Sequence, residues 1–177
     1  MTAIRERYII IPLLVMTIAS ALTWRPLYGQ EPKPSGLTQH FTMALTDQEW
    51  SEIRQEDNPT KRVRKLLNIA ANRLTQAYSL AQQEQYADIP TLLGQYKNIL
   101  TYAMDSVDSL PEPERKRQRN AYKEFDLNLR KHIPMLNEVK RGFPNEHPTI
   151  EDSLLTAQRL RMTALNRFSG AEIFKIP

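Results

Sequence analysis

Two long apolar stripes between Asn58 and Leu110 restrict the fold more than any other feature of the sequence. Their apolar residues recur in steps of three and four, which places them on one face of a helix. The polar break between the stripes, about Glu84 to Ala87, is so short that the two helices must be antiparallel neighbours. The sequence therefore predicts a helical hairpin. Its stripes are Val63, Leu66, Leu67, Ala70, Ala71, Leu74, Ala77, Tyr78 and Ala81, and then Ile89, Leu92, Leu93, Tyr96, Ile99, Leu100, Ala103, Met104 and Val107.

Capping residues mark where the two hairpin helices begin. The side chain of Asn58 can accept a hydrogen bond from a first-turn amide, and Pro59 suits the first helical position because that position needs no amide proton. Asp88 is placed to cap the second helix, and Pro90 is tolerated in its first turn. Both helix starts are therefore predicted independently of the apolar pattern.

A short helix is predicted before the hairpin. Thr46 and Glu49 have the spacing of a capping box, and Leu45 and Trp50 are placed to form a hydrophobic staple. We expect the helix to run from about Asp47 to Glu56 and to cover one end of the core.

Two further long helices follow Pro111-Glu112-Pro113, which ends the hairpin. The first is predicted to end at Gly142, and Pro134 inside it is expected to kink it. The second is predicted to run from near Pro148 to Gly170. Their stripes are Ala121, Tyr122, Phe125, Leu129, Ile133, Leu136 and Val139 or Lys140, and then Ile150, Leu154, Leu155, Ala157, Leu160, Met162, Ala164, Leu165 and Phe168.

These elements predict an all-α fold: an antiparallel four-helix bundle over residues 46–170, with the short helix at its amino-terminal end. The 177-residue chain has 41% hydrophobic and 25% charged residues, as in ordinary globular proteins. It has only 5 glycines, and its apolar and polar residues rarely alternate, which argues against a sheet.

The amino terminus has the pattern of an export signal. Arg5 and Arg7 precede an apolar run that starts at Tyr8, and Ala19-Ser20-Ala21 has the small-x-small form of a cleavage site. The run of about 15 residues is shorter than the roughly 20 that span a bilayer. We therefore expect residues 1–21 to be a cleaved signal peptide and the mature protein to be periplasmic or secreted. The alternative is an uncleaved signal that tethers the domain to the membrane.

Two other segments lie outside the predicted bundle. Residues 22–45 are rich in proline, glycine and threonine and are predicted to be a flexible leader. Residues 171–177 form a tail with an apolar segment, Ile173 to Ile176, which is predicted to fold back onto the bundle. The alternative for this tail is a short docking segment.

The sequence lacks the residue sets that most catalytic and metal sites require. It has no cysteine, which excludes disulfides, thiol catalysis and cysteine-based zinc sites. The spacing of His40, His132 and His147 matches neither zinc proteases nor di-iron bundles. We therefore expect a non-enzymatic protein without a cofactor, in which His132 is partly buried and makes one hydrogen bond. A metal or haem held by His132 or His147 is the alternative.

Two basic clusters open two of the predicted helices and are candidate contacts with an anionic surface. Removal of residues 1–21 would leave 22 basic and 19 acidic residues, a modest excess. Nucleic acid is not expected as the partner of an exported domain, so we expect a protein or an anionic envelope component. The alternative is that these residues only keep the bundle soluble. The candidates are Lys61, Arg62, Lys65, Arg115, Lys116, Arg117 and Arg119.

Two motifs suggest a family. Asn58-Pro59-Thr60-Lys61-Arg62-Val63 and Tyr86-Ala87-Asp88-Ile89-Pro90-Thr91-Leu92-Leu93, within residues 46–170, resemble uncharacterised exported helical-bundle proteins of the acidobacterial type. The resemblance implies an exported helical domain and no assigned activity. The segment from Leu74 to Tyr96 is also similar to a single tetratricopeptide unit, whereas a solenoid needs about three.

The function expected from these features is interaction with a protein or an envelope surface by an exported, non-enzymatic helical domain. Two alternatives remain. One is a bundle that binds a metal or haem. The other is a periplasmic chaperone-like binder of unfolded chains, which would need an exposed apolar groove.

Overall fold

A computed structural model describes residues 44–170, apart from the side chain of Glu112. The predicted signal peptide 1–21, nearly all of the leader 22–45, His40 and the tail 171–177 lie outside the described residues. None of the helices between residues 44 and 170 is long and apolar enough to cross a membrane.

The described chain is all-helical, which confirms the predicted fold class. A 3-10 turn, Glu112–Glu114, separates the first three helices from the last two. The five α-helices are α1 (Asp47–Arg54), α2 (Pro59–Gln82), α3 (Ile89–Asp108), α4 (Arg115–Gly142) and α5 (Pro148–Ser169).

Helices α2 to α5 form a bundle of two antiparallel hairpins, α2–α3 and α4–α5. Helix α2 packs beside α4 with the same direction, since Thr60 Oγ1 in its first turn donates to the carbonyl of Arg117 at 3.2 Å. Helix α3 likewise runs parallel to α5, where Ser153 Oγ donates to the carbonyl of Leu93 at 3.1 Å. Consecutive helices α3 and α4 therefore occupy diagonal corners of the bundle.

The predicted stripes supply most of the core, but the stripe of α5 is partly wrong. Leu155 is 56% exposed, because it lies about 100° around the helix from buried Leu154. Two residues absent from the predicted stripe, Ser153 and Thr156, are buried instead. Small polar side chains fit there because Ser153 can also bond back to the carbonyl of Thr149, at 2.7 Å.

The structure confirms two of the three predicted side-chain caps. Thr46 and Glu49 form the capping box of α1, and Asn58 accepts from the amides of Thr60 and Lys61. Asp88 makes no side-chain capping bond, because its backbone is already helical rather than extended (φ −93°, ψ −10°).

Some predicted helix boundaries shift by a residue or two. Helix α1 ends at Arg54 rather than Glu56, and the 3-10 turn delays the start of α4 to Arg115. Pro134 lies inside α4, and Gly142 is its last residue, as predicted.

A Schellman motif without glycine closes the α2–α3 turn. The amide of Gln85 donates to the carbonyl of Leu80 at 2.9 Å, and the amide of Glu84 donates to that of Ala81 at 3.2 Å. This pattern places Glu84 in the left-handed region, with φ 57°. A side chain in that region costs about 1 kcal/mol.

We therefore expect Glu84→Gly to stabilise the protein by about 1 kcal/mol. Urea unfolding measures this change. Gln83→Gly is the matched control, because Gln83 has φ −94° and gains nothing from glycine. Equal effects of the two substitutions would contradict the assignment of strain to Glu84.

His132 of α4 is buried in the core, and its side chain forms a 3.3 Å hydrogen bond through Nδ1 with the hydroxyl of Tyr96 on α3. The residue is 6% exposed, somewhat more buried than predicted, with the single hydrogen bond that was predicted. Burial, aided by the charge of Lys131, lowers the pKa of His132 from 6.5 to about 4.

This pKa predicts a pH-dependent stability with a defined sign. Between pH 6.5 and 4 the unfolded chain binds a proton at this position and the folded chain does not. The contribution of neutral His132 to the free energy of unfolding is therefore fully present above pH 6.5. It falls by about 3 kcal/mol as the pH drops to 4. Urea unfolding at several pH values should show a flatter profile for His132→Gln. Tyr96→Phe should keep the wild-type slope, since burial rather than the hydrogen bond dominates; a flat profile for Tyr96→Phe would contradict this.

Candidate anion-binding cleft

The two predicted basic clusters lie at the same end of the bundle, since α2 and α4 are parallel neighbours and both clusters sit in the first turns of these helices. The carboxyl ends of α3 and α5 lie at this end too, because each is antiparallel to its hairpin partner. We call this the basic end.

Much of the first cluster serves the fold. The guanidinium of Arg62 donates to the carbonyl of Glu56 through Nε (3.0 Å) and Nη2 (2.7 Å). Lys65 Nζ donates to the carbonyl of Glu52 at 3.2 Å and lies 3.4 Å from the Glu56 carboxylate. These two side chains hold the end of α1 against α2, whereas Lys61 is exposed.

The four basic residues of the second cluster do not all face the same part of the surface. Arg117 forms an ion pair with Glu114 in which Nη1 donates to both carboxylate oxygens, at 2.7 and 2.9 Å, and Lys116 is exposed. Arg115 and Arg119 instead line a cleft of about 410 Å³ between the start of α4 and the end of α5. We call it the basic cleft. Its lining residues are Arg115, Gln118, Arg119, Tyr122, Arg167, Phe168, Ser169 and Gly170.

Two contacts with Phe168 orient the side chain of Arg119 in the basic cleft. Its Nε donates to the carbonyl of Phe168 at 3.2 Å, and its guanidinium carbon lies 4.9 Å from the centre of the Phe168 ring. The first contact satisfies a carbonyl at the end of α5, and the second is a cation–π interaction. Because a guanidinium has five N–H donors, these contacts leave most of its donors for another acceptor.

Tyr122 and Gln118 attach the basic cleft to the end of α3. Tyr122, which is 4% exposed, donates its hydroxyl to Asp108 Oδ1 at 2.5 Å. Gln118 Nε2 donates to the carbonyl of Val107 at 3.0 Å. Burial, together with the bond to Asp108, raises the pKa of Tyr122. These bonds join the cleft wall to α3, and the carboxylate of Asp108 already accepts a hydrogen bond from Tyr122.

Arg167 was not predicted as a site residue. A basic residue in the last turn of a helix ordinarily compensates the helix dipole, so Arg167 has no local pattern that marks it as a binding residue. The signal that could have identified it is topological, because an antiparallel α4–α5 hairpin sets the last turn of α5 beside the first turn of α4. None of the carboxylate side chains that the structure describes forms an ion pair with Arg167, and the positive charge of Arg167 partly opposes the rise in the pKa of Tyr122.

The residues of the metal or haem alternative are engaged elsewhere. His132 bonds to Tyr96 in the core, and His147 caps α5 by accepting from the amide of Thr149 at 3.3 Å. Within residues 44–170, no three histidine or carboxylate side chains cluster as a metal site would require.

An open groove of about 470 Å³ between α2 and α3 bears on the chaperone alternative. Leu80 and Leu92 are its apolar residues, and both are partly buried. The other lining residues are polar: Gln76, Ser79, Asp88 and Thr91. Two leucines offer little apolar surface to an unfolded chain, so the basic cleft is the stronger candidate.

Comparison of the chain with protein-family models, curated proteins and solved structures found no match. The functional assignment therefore depends on the geometry of the site.

Substitutions can test whether Arg62 stabilises the fold while its exposed neighbour Lys61 does not. Arg62→Ala should destabilise the protein by about 1 kcal/mol, because it removes two donors from the carbonyl of Glu56. Lys61→Ala is the control and should change the free energy of unfolding by less than about 0.5 kcal/mol. Thermal unfolding of both variants makes the comparison; equal losses would contradict the structural role of Arg62.

Proposed function

We propose that this protein is an exported, non-enzymatic interaction domain whose basic cleft binds an anionic component of the cell envelope. The observation that carries the proposal is the convergence of Arg115, Arg119 and Arg167, from two helices, on one cleft. Arginine forks match the oxygens of carboxylate and phosphate groups, so such a cleft suits an oxyanion.

The residue types in the basic cleft favour binding over catalysis. An arginine keeps its proton at every physiological pH and serves as a donor rather than as an acid or base. The raised pKa of Tyr122, whose hydroxyl already bonds to Asp108, keeps this phenol protonated as well. Such groups hold a negative charge in place without transferring a proton to or from it.

The position of the basic cleft favours contact with a large surface. It opens at the end of the bundle that also carries exposed Lys61 and Lys116. Exposed cations around a specific site attract an anionic surface over about one Debye length, or about 8 Å at physiological salt. The pattern of residues 1–21 supports an extracytoplasmic location for this contact.

Vesicle co-sedimentation tests the proposal. The full chain should bind vesicles that contain phosphatidylglycerol and phosphatidic acid, and bind neutral phosphatidylcholine vesicles far less. Replacement of Arg115, Arg119 and Arg167 by glutamine should weaken binding to the anionic vesicles at least tenfold, because each charge-assisted contact contributes about 1 kcal/mol or more.

The matched control replaces Lys123, Arg130 and Arg159, exposed residues of α4 and α5 outside the basic cleft, by glutamine. This variant has the same net charge and should retain most of the binding. If the two variants weaken binding equally, general charge rather than the cleft is responsible, and the proposal is wrong. It is equally wrong if the wild-type protein does not distinguish anionic from neutral vesicles.

A further inference from the structure

We infer that the groove between α2 and α3 is a second binding site and that its ligand is a linear aliphatic amine, an ammonium group on an unbranched carbon chain. The groove lies beside the α2–α3 turn, at the opposite end of the bundle from the basic cleft. The site therefore goes beyond the proposed function, and its ligand can be tested separately. Its charge, its apolar residues and its size each indicate this class of ligand.

Asp88 is the only charged residue among those that line the groove. Its side chain makes no capping bond to α3 and forms no hydrogen bond or ion pair with any other group that the structure describes. The carboxyl end of α2 and the amino end of α3 meet at this turn, so the opposite partial charges of the two helix ends offset each other. Asp88 therefore supplies a full negative charge that an ammonium group can neutralise.

The cations on the helices around the groove are committed to other carboxylates. Within residues 66–82 of α2, Arg73 is the only charged residue, and it pairs with Glu49 of α1. The lysine and arginine residues of α3 and of the last two turns of α4 are also paired. A cation that pairs with Asp88 must therefore come from outside residues 44–170. The pairs of α3 and α4 are Lys97 with Asp152, Lys140 with Glu151 and Arg141 with Glu138.

Two leucines give the groove its apolar surface. Leu80 of α2 and Leu92 of α3 are partly buried and pack against the core. Asp88 precedes Leu92 by four residues, or about 6 Å along the helix. Gln76 precedes Leu80 by the same distance, and because the helices are antiparallel, Gln76 and Asp88 lie at opposite ends of the leucine pair. A carbon chain that begins at an ammonium group beside Asp88 can therefore lie over both leucines.

The size and the polar rim of the groove favour a small free amine over the lysine side chain of a partner protein. The volume of about 470 Å³ lies within the range of sites for small organic ligands. The other lining residues, Gln76, Ser79 and Thr91, are polar and can accept hydrogen bonds from an amine. With only two apolar lining residues, the groove offers a partner protein little further surface for docking.

Chemical-shift titration of the full chain, labelled with nitrogen-15, tests both parts of the ligand. Hexylamine and ethylamine both carry an ammonium group at pH 7, because the pKa of an alkylamine is about 10, like that of lysine. Hexylamine should bind about tenfold more tightly, because its longer chain removes more apolar surface from water. It should also shift the amide signals of Leu80 and Leu92. 1-Hexanol, which has the chain without the charge, should bind about threefold more weakly than hexylamine, and hexanoate more weakly still.

Substitution of Asp88 connects this binding to the groove. Asp88→Asn should weaken hexylamine binding about three- to fivefold, the loss expected for one ion pair at the surface. It should not lower the melting temperature, because Asp88 makes no capping bond. Glu84→Gln is the matched control and should leave the affinity unchanged. It removes the same charge from the same turn, but from an exposed residue that does not line the groove.

Several results would overturn the inference, and none of them bears on anion binding by the basic cleft. Hexylamine that does not bind, or binds no better than 1-hexanol, would exclude the ammonium group from the recognition. Equal binding of hexylamine and ethylamine would exclude the leucines. Equal losses in Asp88→Asn and Glu84→Gln, or shifts confined to other residues, would place the binding outside the groove.

A further probe distinguishes a free amine from a lysine side chain. Nα-acetyl-lysine methylamide carries the same chain and charge as butylamine, on a peptide backbone. It should bind no more tightly than butylamine does. Tighter binding of the lysine derivative would contradict the assignment to a free amine and identify a lysine of a partner protein as the ligand.

Discussion

Burial of the apolar face of the α2–α3 hairpin is the interaction on which the rest of the structure depends. Leu66 and Leu74 of α2 and Leu93 and Leu100 of α3 are completely buried. Each contributes roughly 1.5–3 kcal/mol by leaving water. Two helices cannot enclose such a face by themselves, so the second hairpin must cover it. Helices α4 and α5 provide that cover with a complementary set that includes Phe125 and Leu129.

The way in which the second hairpin covers the first explains the functional end of the molecule. The chain crosses diagonally from α3 to α4, which brings α4 beside α2 and α5 beside α3. The starts of α2 and α4 and the end of α5 consequently share one end. Basic segments that are far apart in the sequence become neighbours there, as the bond from Thr60 to the carbonyl of Arg117 shows. The basic cleft is thus a product of topology as much as of composition.

Most of the fold could be predicted from the sequence, because the capping residues and the spacing of the apolar residues indicated the same helices. Thr46 and Asn58 are caps for local reasons, and the stripes of α2 and α3 are long enough to define a face. Asp88 failed as a cap because its role depends on its backbone conformation, which residue type does not determine. The prediction that Leu155 is buried was wrong because packing against α3 decides which face of α5 is buried near its start. Ser153 lies on that face and bonds to the carbonyl of Leu93.

The candidate site could be predicted only in part, because a run of basic residues does not reveal which side chains bond to carbonyl or carboxylate groups of the protein itself. Arg62 is committed to the carbonyl of Glu56, and Arg117 to the carboxylate of Glu114. Arg119 and Arg167 share one cleft, and in the described chain neither forms an ion pair with a carboxylate.

The end of α5 explains one contact of Arg119, with the carbonyl of Phe168, but a helix dipole offsets only about half a charge and acts within the last turn. It cannot balance two guanidinium groups. Under the proposed function, an anion in the cleft would supply the balancing charge. The placement of these charges around one cleft, rather than the number of basic residues, makes this end of the bundle the candidate site.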